Sequence, residues 1–222
     1  MKNEDTIGPG FLEKLLIILS PLIIGIIGYF LPKTLFLIKK IPIVSDMKII
    51  KLIESFNPFW TSITLAIIGL IIGIFFSLII FDDCLKVTIN NQNVKIEKND
   101  IQNQTKLNNI KEAFMENKSL IIILMNQEIL INEITDVKEN KVKSIFKNHG
   151  IKWHTKSPYD YILWTLQNNS FNEKINSILY ERRNAIRDGD NKKVENLKKD
   201  LNEIGVIVID KNNKQYVHKL ST

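Results

Sequence analysis

Two long stretches without a single charge constrain this chain more than anything else in it. Leu15 to Pro32 reads LLIILSPLIIGIIGYFLP, and Ser55 to Phe81 reads SFNPFWTSITLAIIGLIIGIFFSLIIF. A bilayer core of ~30 Å takes about 20 apolar residues of helix, and inside lipid each peptide group must bond within its own segment. The runs therefore predict a transmembrane hairpin, with helices over about residues 12–38 and 57–81. A buried core helix is the competing reading, but a soluble domain this small rarely buries helices that are apolar on every side. The first run is expected to be retained. Its flank MKNEDTIGPGFLEK carries three acids against two Lys, and no small-x-small cleavage site follows. Its apolar core also exceeds the ~7–15 residues of a signal segment.

Within the runs, Pro21 is expected to kink the first helix and Pro32 to lie near its end. Tyr29, Phe30, Phe59 and Trp60 sit near the ends, where amphipathic rings prefer the membrane interface. Gly25 and Gly28 fall midway along the first run, and Gly69 and Gly73 make a GxxxG in the second. Small residues let helix backbones approach closely where lipid supplies no hydrophobic drive. Packing of the two spans against each other is the favoured use, and a homodimer through Gly69 and Gly73 is the alternative. Two spans put both termini on one side of the membrane. Orientation does not follow from charge: Lys33, Lys39, Lys40, Lys48 and Lys51 on one side balance Lys2, Lys14, Lys86, Lys95 and Lys98 on the other. The positive-inside rule returns a tie.

Beyond Asp82-Asp83 the composition changes. Residues 84–222 hold 23 basic and 17 acidic residues, so the whole net charge of +6 lies outside the apolar part. Lys86–Asn90 and Asn93–Lys98 alternate and are β-branched, which predicts a hairpin across the Asn-rich turn. Ile110–Glu116, Leu120–Met125 and Glu128–Ile134 read as further strands. A helix follows, with Val142, Ile145 and Phe146 on one face and Gly150 as its stop. Several strands closed by one helix suggest a small β domain of the pleckstrin-homology (PH) type. Trp153–Trp164 reads as a linker with aromatic anchors. Phe171–Asp188 then has helical spacing at Ile175, Ile178, Leu179 and Ile186, and Gly189 and Asp190 supply a C′ residue and the next N-cap. A second helix carries Val194, Leu197, Leu201 and Ile204. Asn212-Asn213 joins two last strands into a hairpin, and this C-terminal unit reads as self-contained.

No catalytic constellation stands out. One Cys and three His exclude a disulfide scaffold and argue against a multi-ligand zinc site. Cys84 follows two carboxylates, a setting that disfavours its thiolate. His149 and His154 lack partner ligands, and no Gly-rich phosphate loop or nucleophile–base pair occurs. No metal, cofactor or enzymatic activity is expected. Basic residues cluster around the helical hairpin, but Glu181, Asp188, Asp190, Glu195, Asp200 and Glu203 lie among them. They read first as solvated faces and second as attraction to anionic lipid headgroups.

The stretch ERRNAIRDGDNKKVENLKKDLNEIGVIVIDKNNKQYVHKL resembles the C-terminal anticodon-recognition segment of cysteinyl-tRNA synthetases. It matches at Ala185, Arg187, Leu197, Leu201, Gly205, Val206, Asp210 and Tyr216. Tyr216 stands where that family usually has Trp, Lys198 where it has Arg, and the interhelical turn is one residue shorter. The His-Ile-Gly-His and Lys-Met-Ser-Lys-Ser signatures are absent from the chain, as is a zinc-binding thiolate cluster, so adenylate chemistry is excluded. If the resembled role holds, Arg183, Arg187 and Lys192 should line one RNA-binding surface with Tyr216 stacking beside them, and Asp210 should meet a base edge or hold its loop. If the fold is reused for protein docking, Tyr216 should pack over Val194, Leu197 and Leu201. The docking use is preferred, because the charges are balanced and Trp has become Tyr.

The whole chain resembles the YqeB family of bacterial membrane proteins, through TIGPGFLEKLL, ESFNPFW, DDCLKVTI and HGIKW together with the synthetase-like tail. That resemblance implies a membrane α plus soluble α+β architecture. It places a two-helix membrane domain over 1–83, a PH-like β domain over 84–156 and a synthetase-C-terminal-like domain over 157–222. The function expected is a membrane-anchored binding or scaffold protein for a protein partner or anionic lipid, with its soluble domains in the cytoplasm. A membrane-tethered RNA-binding module is the alternative.

Overall fold

The computed structural model describes residues 4–38, 57–99, 101–167 and 171–220. The expected loop of residues 39–56, with Lys39, Lys40, Lys48 and Lys51, lies outside the described residues, as does Lys2. The chain divides into two units: an apolar helical hairpin, and a larger α+β unit that holds residues 4–8 and almost everything after Leu85.

In the hairpin, α1 (Phe11–Ile38) packs along α2 (Pro58–Asp83). Both helices are long and apolar enough to cross a membrane. Asn57 caps α2 by accepting from the Phe59 N–H at 3.0 Å, and Pro58 fits the first turn, where its missing N–H costs nothing. The four glycines make the seam. A Cβ on Gly69 would lie 2.7 Å from the Ile24 carbonyl oxygen, and one on Gly73 would strike Pro21. On the other helix, a Cβ at Gly28 would strike the Leu65 carbonyl, and one at Gly25 would lie 2.8 Å from Leu70 Cγ. The small-residue faces of both helices are thus spent on each other, and Gly69 and Gly73 are buried within the chain. Ser77 reinforces the seam by donating to the Ile17 carbonyl at 2.7 Å and lying 2.8 Å from Ser20 Oγ. Away from it, Leu12, Ile27, Phe75 and Leu78 are more than half exposed. A continuous apolar surface of this extent is unsuited to water.

The PH-like part of the larger unit consists of two four-stranded sheets and one helix. The first sheet runs β1 (Asp5–Ile7), β2 (Lys86–Ile89), β3 (Asn93–Lys98), β4 (Ile101–Lys106). Strand β1 is an addition to the sequence expectation: it precedes both apolar helices, yet pairs antiparallel with β2 through Ile7 opposite Val87. The second sheet runs β7 (Ile129–Ile134), β6 (Ser119–Leu124), β5 (Ile110–Glu116), β8 (Trp153–His154), with β8 parallel to β5. Helix α3 (Glu139–Asn148) adds Val142, Ile145 and Phe146, and Gly150 ends the turn after it at φ +74°. Between these layers Ile7, Val87, Val94, Leu120, Ile122 and Phe146 form one core.

The C-terminal part follows through β9 (Ile162–Leu163), α4 (Glu173–Asp188), α5 (Asn191–Glu203), β10 (Val206–Lys211) and β11 (Lys214–Lys219). Its local signals operate as written in the sequence. Asn172 caps α4, Gly189 ends it in the left-handed region at φ +74°, and Asp190 caps α5 by accepting from the Lys193 N–H. Asn212 and Asn213 both have positive φ, the geometry of the tightest hairpin turn. The unit is not self-contained, however. Alternation along β10 sends Val206 and Val208 toward α4 and α5, where they meet Ile175, Leu179 and Leu201. It sends Ile207 and Ile209 the other way, into a core with Phe114, Ile121 and Ile123 of the second PH-like sheet. Sheet-on-sheet packing of two such faces yields one continuous body.

Candidate functional site

Helix α4 sets out its basic residues in two directions. Arg182, on the inner face, is 1% exposed. Its guanidinium forks onto Asp210 at 2.8 and 2.7 Å and reaches Gln215 Oε1 at 2.9 Å, while Gln215 Nε2 donates to the Leu179 carbonyl. Both oxygens of Asp210 are therefore engaged by Arg182. Asp210 thereby ties β10 to α4.

Arg183 and Arg187, one turn apart on the outer side of α4, line a cleft of about 740 Å³ together with Lys214 at the start of β11. Leu163, Trp164, Leu166 and Ile186 form its apolar part. Among the described residues no acidic side chain lines it. Arg187 pairs with Asp188 at 3.2 Å, but both side chains are more than 60% exposed, and a pair so solvated is weak. Trp164 is held in place by its Nε1 donating to Asn176 Oδ1 at 3.0 Å, and is 6% exposed. Leu166 is 61% exposed.

The other expected members do not join this cleft. Lys192, exposed in the first turn of α5, is not among its lining residues. Tyr216 is half-buried and neighbours Ile209 of β10 and Leu163 of β9. Its strand neighbours Gln215 and Val217 face the helices, so alternation turns Tyr216 to the opposite side of the sheet. It therefore neither stacks beside Arg183 nor packs over Val194, Leu197 and Leu201. Trp164, Leu166 and Lys214 were missed by the sequence reading, since the pairing of β9 with β11 and the packing of β11 on α4 bring them there.

A second polar cluster lies where the PH-like and C-terminal parts meet. Glu112 of β5, 4% exposed, accepts from Tyr159 Oη at 2.5 Å and His154 Nε2 at 2.7 Å. Burial pushes its carboxyl up, but the Tyr159 and His154 hydrogen bonds outweigh that and hold it below the usual glutamate value. Burial, and then the Glu112 carboxylate, push the Tyr159 phenol well up, and burial pushes Tyr161 up to about 12. A phenol that resists ionisation is a donor here and a poor base. Tyr159 also packs against His218, with ring centroids 4.8 Å apart, and His218 donates to the Asp160 carbonyl. His149 is drawn elsewhere, to Asp5 of β1 at 3.0 Å. Among the described residues no three His, Cys, Asp or Glu side chains converge as metal ligands.

These features can be set beside known proteins. Residues 168–217 match the family model of the cysteinyl-tRNA ligase anticodon binding domain. A similar protein is the uncharacterised YqeB of Bacillus subtilis (strain 168), 26% identical over 199 residues, which cover 88% of this chain and 83% of that one. No solved structure matches. Residues 6–154, from strand β1 through the apolar hairpin and both PH-like sheets to β8, match the model of the YqeB-like bacterial PH domain. With more than half of its length so matched, the chain belongs to the YqeB-like bacterial PH domain family.

Proposed function

We propose that this protein is a membrane-anchored binding protein: the apolar hairpin inserts in the bilayer, and the α+β unit presents a binding surface on the cytoplasmic side. The observation that carries the binding role is the cleft on α4, where Arg183, Arg187 and Lys214 converge beside apolar side chains with no acid in the lining. Such a site attracts anions and offers area for an apolar anchor. The anchor is supported by the exposed apolar surfaces of both helices. The cytoplasmic side is supported by the likeness of residues 168–217 to a domain of a tRNA ligase, an intracellular enzyme. A catalytic role is disfavoured, because Tyr159 and His154 are both spent on the buried Glu112 carboxylate, and among the described residues no nucleophile stands beside them.

Two measurements test the proposal. Washing membranes in alkaline carbonate leaves the protein in the pellet, and its release would overturn the membrane anchor. With Cys84 replaced by Ser, a single Cys at Lys214 stays unlabelled by a membrane-impermeant thiol reagent on intact cells; labelling there would place the cleft outside. The same likeness to an anticodon-binding domain favours RNA as a second reading. In that case affinity for single-stranded RNA falls with salt at a slope of ~0.7 per phosphate contacted.

A further inference from the structure

We infer that the α4 cleft docks an acidic peptide segment carrying aliphatic anchors; this rests on the binding role above and names its partner. Three observations converge on that chemistry. First, Arg183, Arg187 and Lys214 place three cations around the cleft; no carboxylate is among its described lining residues, and Asp188, paired with Arg187, is well solvated, so an anionic occupant is the complementary one. Second, the two guanidinia stand at i and i+4 on one helix, and a planar fork at each is matched by side-chain carboxylates in a bidentate manner. Third, the apolar part is aliphatic where it is open. Leu166 is 61% exposed and Ile186 is partly buried, whereas Trp164, the cleft's aromatic residue, is 6% exposed with its Nε1 tied to Asn176.

The third observation separates a peptide from a nucleic acid. Single-stranded RNA is held by bases stacking on open aromatic faces as well as by phosphate contacts. Here Trp164 has almost no open face, and Tyr216 lies on the far side of the sheet. An exposed Leu beside cations instead suits a Leu, Ile or Val side chain flanked by Glu or Asp.

The test uses the full chain in nanodiscs of neutral phosphatidylcholine, so that no lipid anion competes. The probe is a fluorescein-labelled peptide of alternating Glu and Leu, with Gln/Leu and Glu/Ser versions as controls and random single-stranded RNA as competitor. The Glu/Leu peptide binds more tightly than either control, and R183E/R187E lowers its affinity about tenfold or more. L166D lowers it as well. K192E, the same kind of charge reversal outside the cleft, leaves it unchanged. Equal binding of the Gln/Leu peptide, or equal loss in K192E, overturns the inference. RNA binding that is tighter than the peptide's and lost in R183E/R187E also overturns it, while leaving a binding role for the cleft. Binding of neither probe removes both the inference and the binding role.

Discussion

Arg182 and Asp210 meet as a two-bonded fork, and the partners differ in what water can do for them. The Asp210 side chain is 44% exposed, whereas that of Arg182 is 2% exposed. Asp210→Ala therefore strands a buried guanidinium. Breaking a fully buried pair costs about 3–5 kcal/mol, and partial access of water near Asp210 reduces this to about 2–3 kcal/mol, measurable as a lower urea midpoint. Arg183→Ala, a single turn position away but exposed, changes stability by less than about 0.5 kcal/mol. Glu112 supplies the pH dependence. Its folded pKa lies below the ordinary glutamate value, because the Tyr159 and His154 hydrogen bonds outweigh burial. Its stabilisation is therefore complete above that value and lost as the pH falls through the folded pKa. Glu112→Gln should cost about 1–2 kcal/mol at neutral pH, and the gap to wild type should narrow below pH ~4. A gap equally wide at pH 3 and 7 would contradict this account.

At the level of elements, the α1–α2 seam depends on which glycine carries the new side chain. A Cβ at Gly28 or Gly73 meets backbone of the opposite helix, which cannot swing aside, whereas at Gly25 the first obstacle is the Leu70 side chain. Ser20 and Ser77, with hydroxyls 2.8 Å apart, provide the gauge. In a Cys84→Ser background, S20C/S77C should crosslink on mild oxidation in membranes. Gly28→Leu and Gly73→Leu should abolish the crosslink, and Gly25→Ala should keep it. Crosslinking that persists in the Leu variants would show that the helices do not meet through these glycines. Strand burial follows a comparable logic. In β2 only alternate residues are buried, but Leu120–Ile123 and Val206–Ile209 are buried without a break. Such runs mark strands covered on both faces, and here each has a core on either side.

For the whole molecule, those doubly covered strands join the PH-like and C-terminal parts. Phe114, Ile121 and Ile123 meet Ile207, Ile209 and Leu220, and Lys211 bridges to Glu116 at 2.8 Å while Asn117 donates to the Asp210 carbonyl. A shared core couples their unfolding, so the wild-type α+β unit should melt in one transition. Ile209→Asp buries a charge in that core and should cost about 3 kcal/mol. It should split the transition in two and expose residues 155–161 to limited proteolysis. A single unaltered transition would mean the contact contributes little.

Most features that depend on neighbours in sequence were legible. The two charge-free runs, the cap at Asp190, the left-handed Gly189 and the Asn212-Asn213 turn operate within a few residues, so local chemistry suffices to specify them, although the cap at Asn172 was not read. The apolar runs LIII in β6 and VIVI in β10 even carried the sign of two-sided burial, although not which faces would meet. What the tertiary structure alone decided depends on partners distant in the chain. Asp5–Ile7 is too short to read as a strand, and its partner β2 lies beyond both apolar helices. The synthetase resemblance would set Tyr216 beside the basic surface, but its side of the sheet is set by the register of β11 against β10, and a shift of one residue would reverse it. Glu112, His154 and Tyr159 look unremarkable one by one, and become a buried cluster only once β8 lies beside β5. The cleft has the same origin: Arg183 and Arg187 were visible on their helix, but Lys214, Trp164 and Leu166 reach them through strand pairing, which no local pattern encodes.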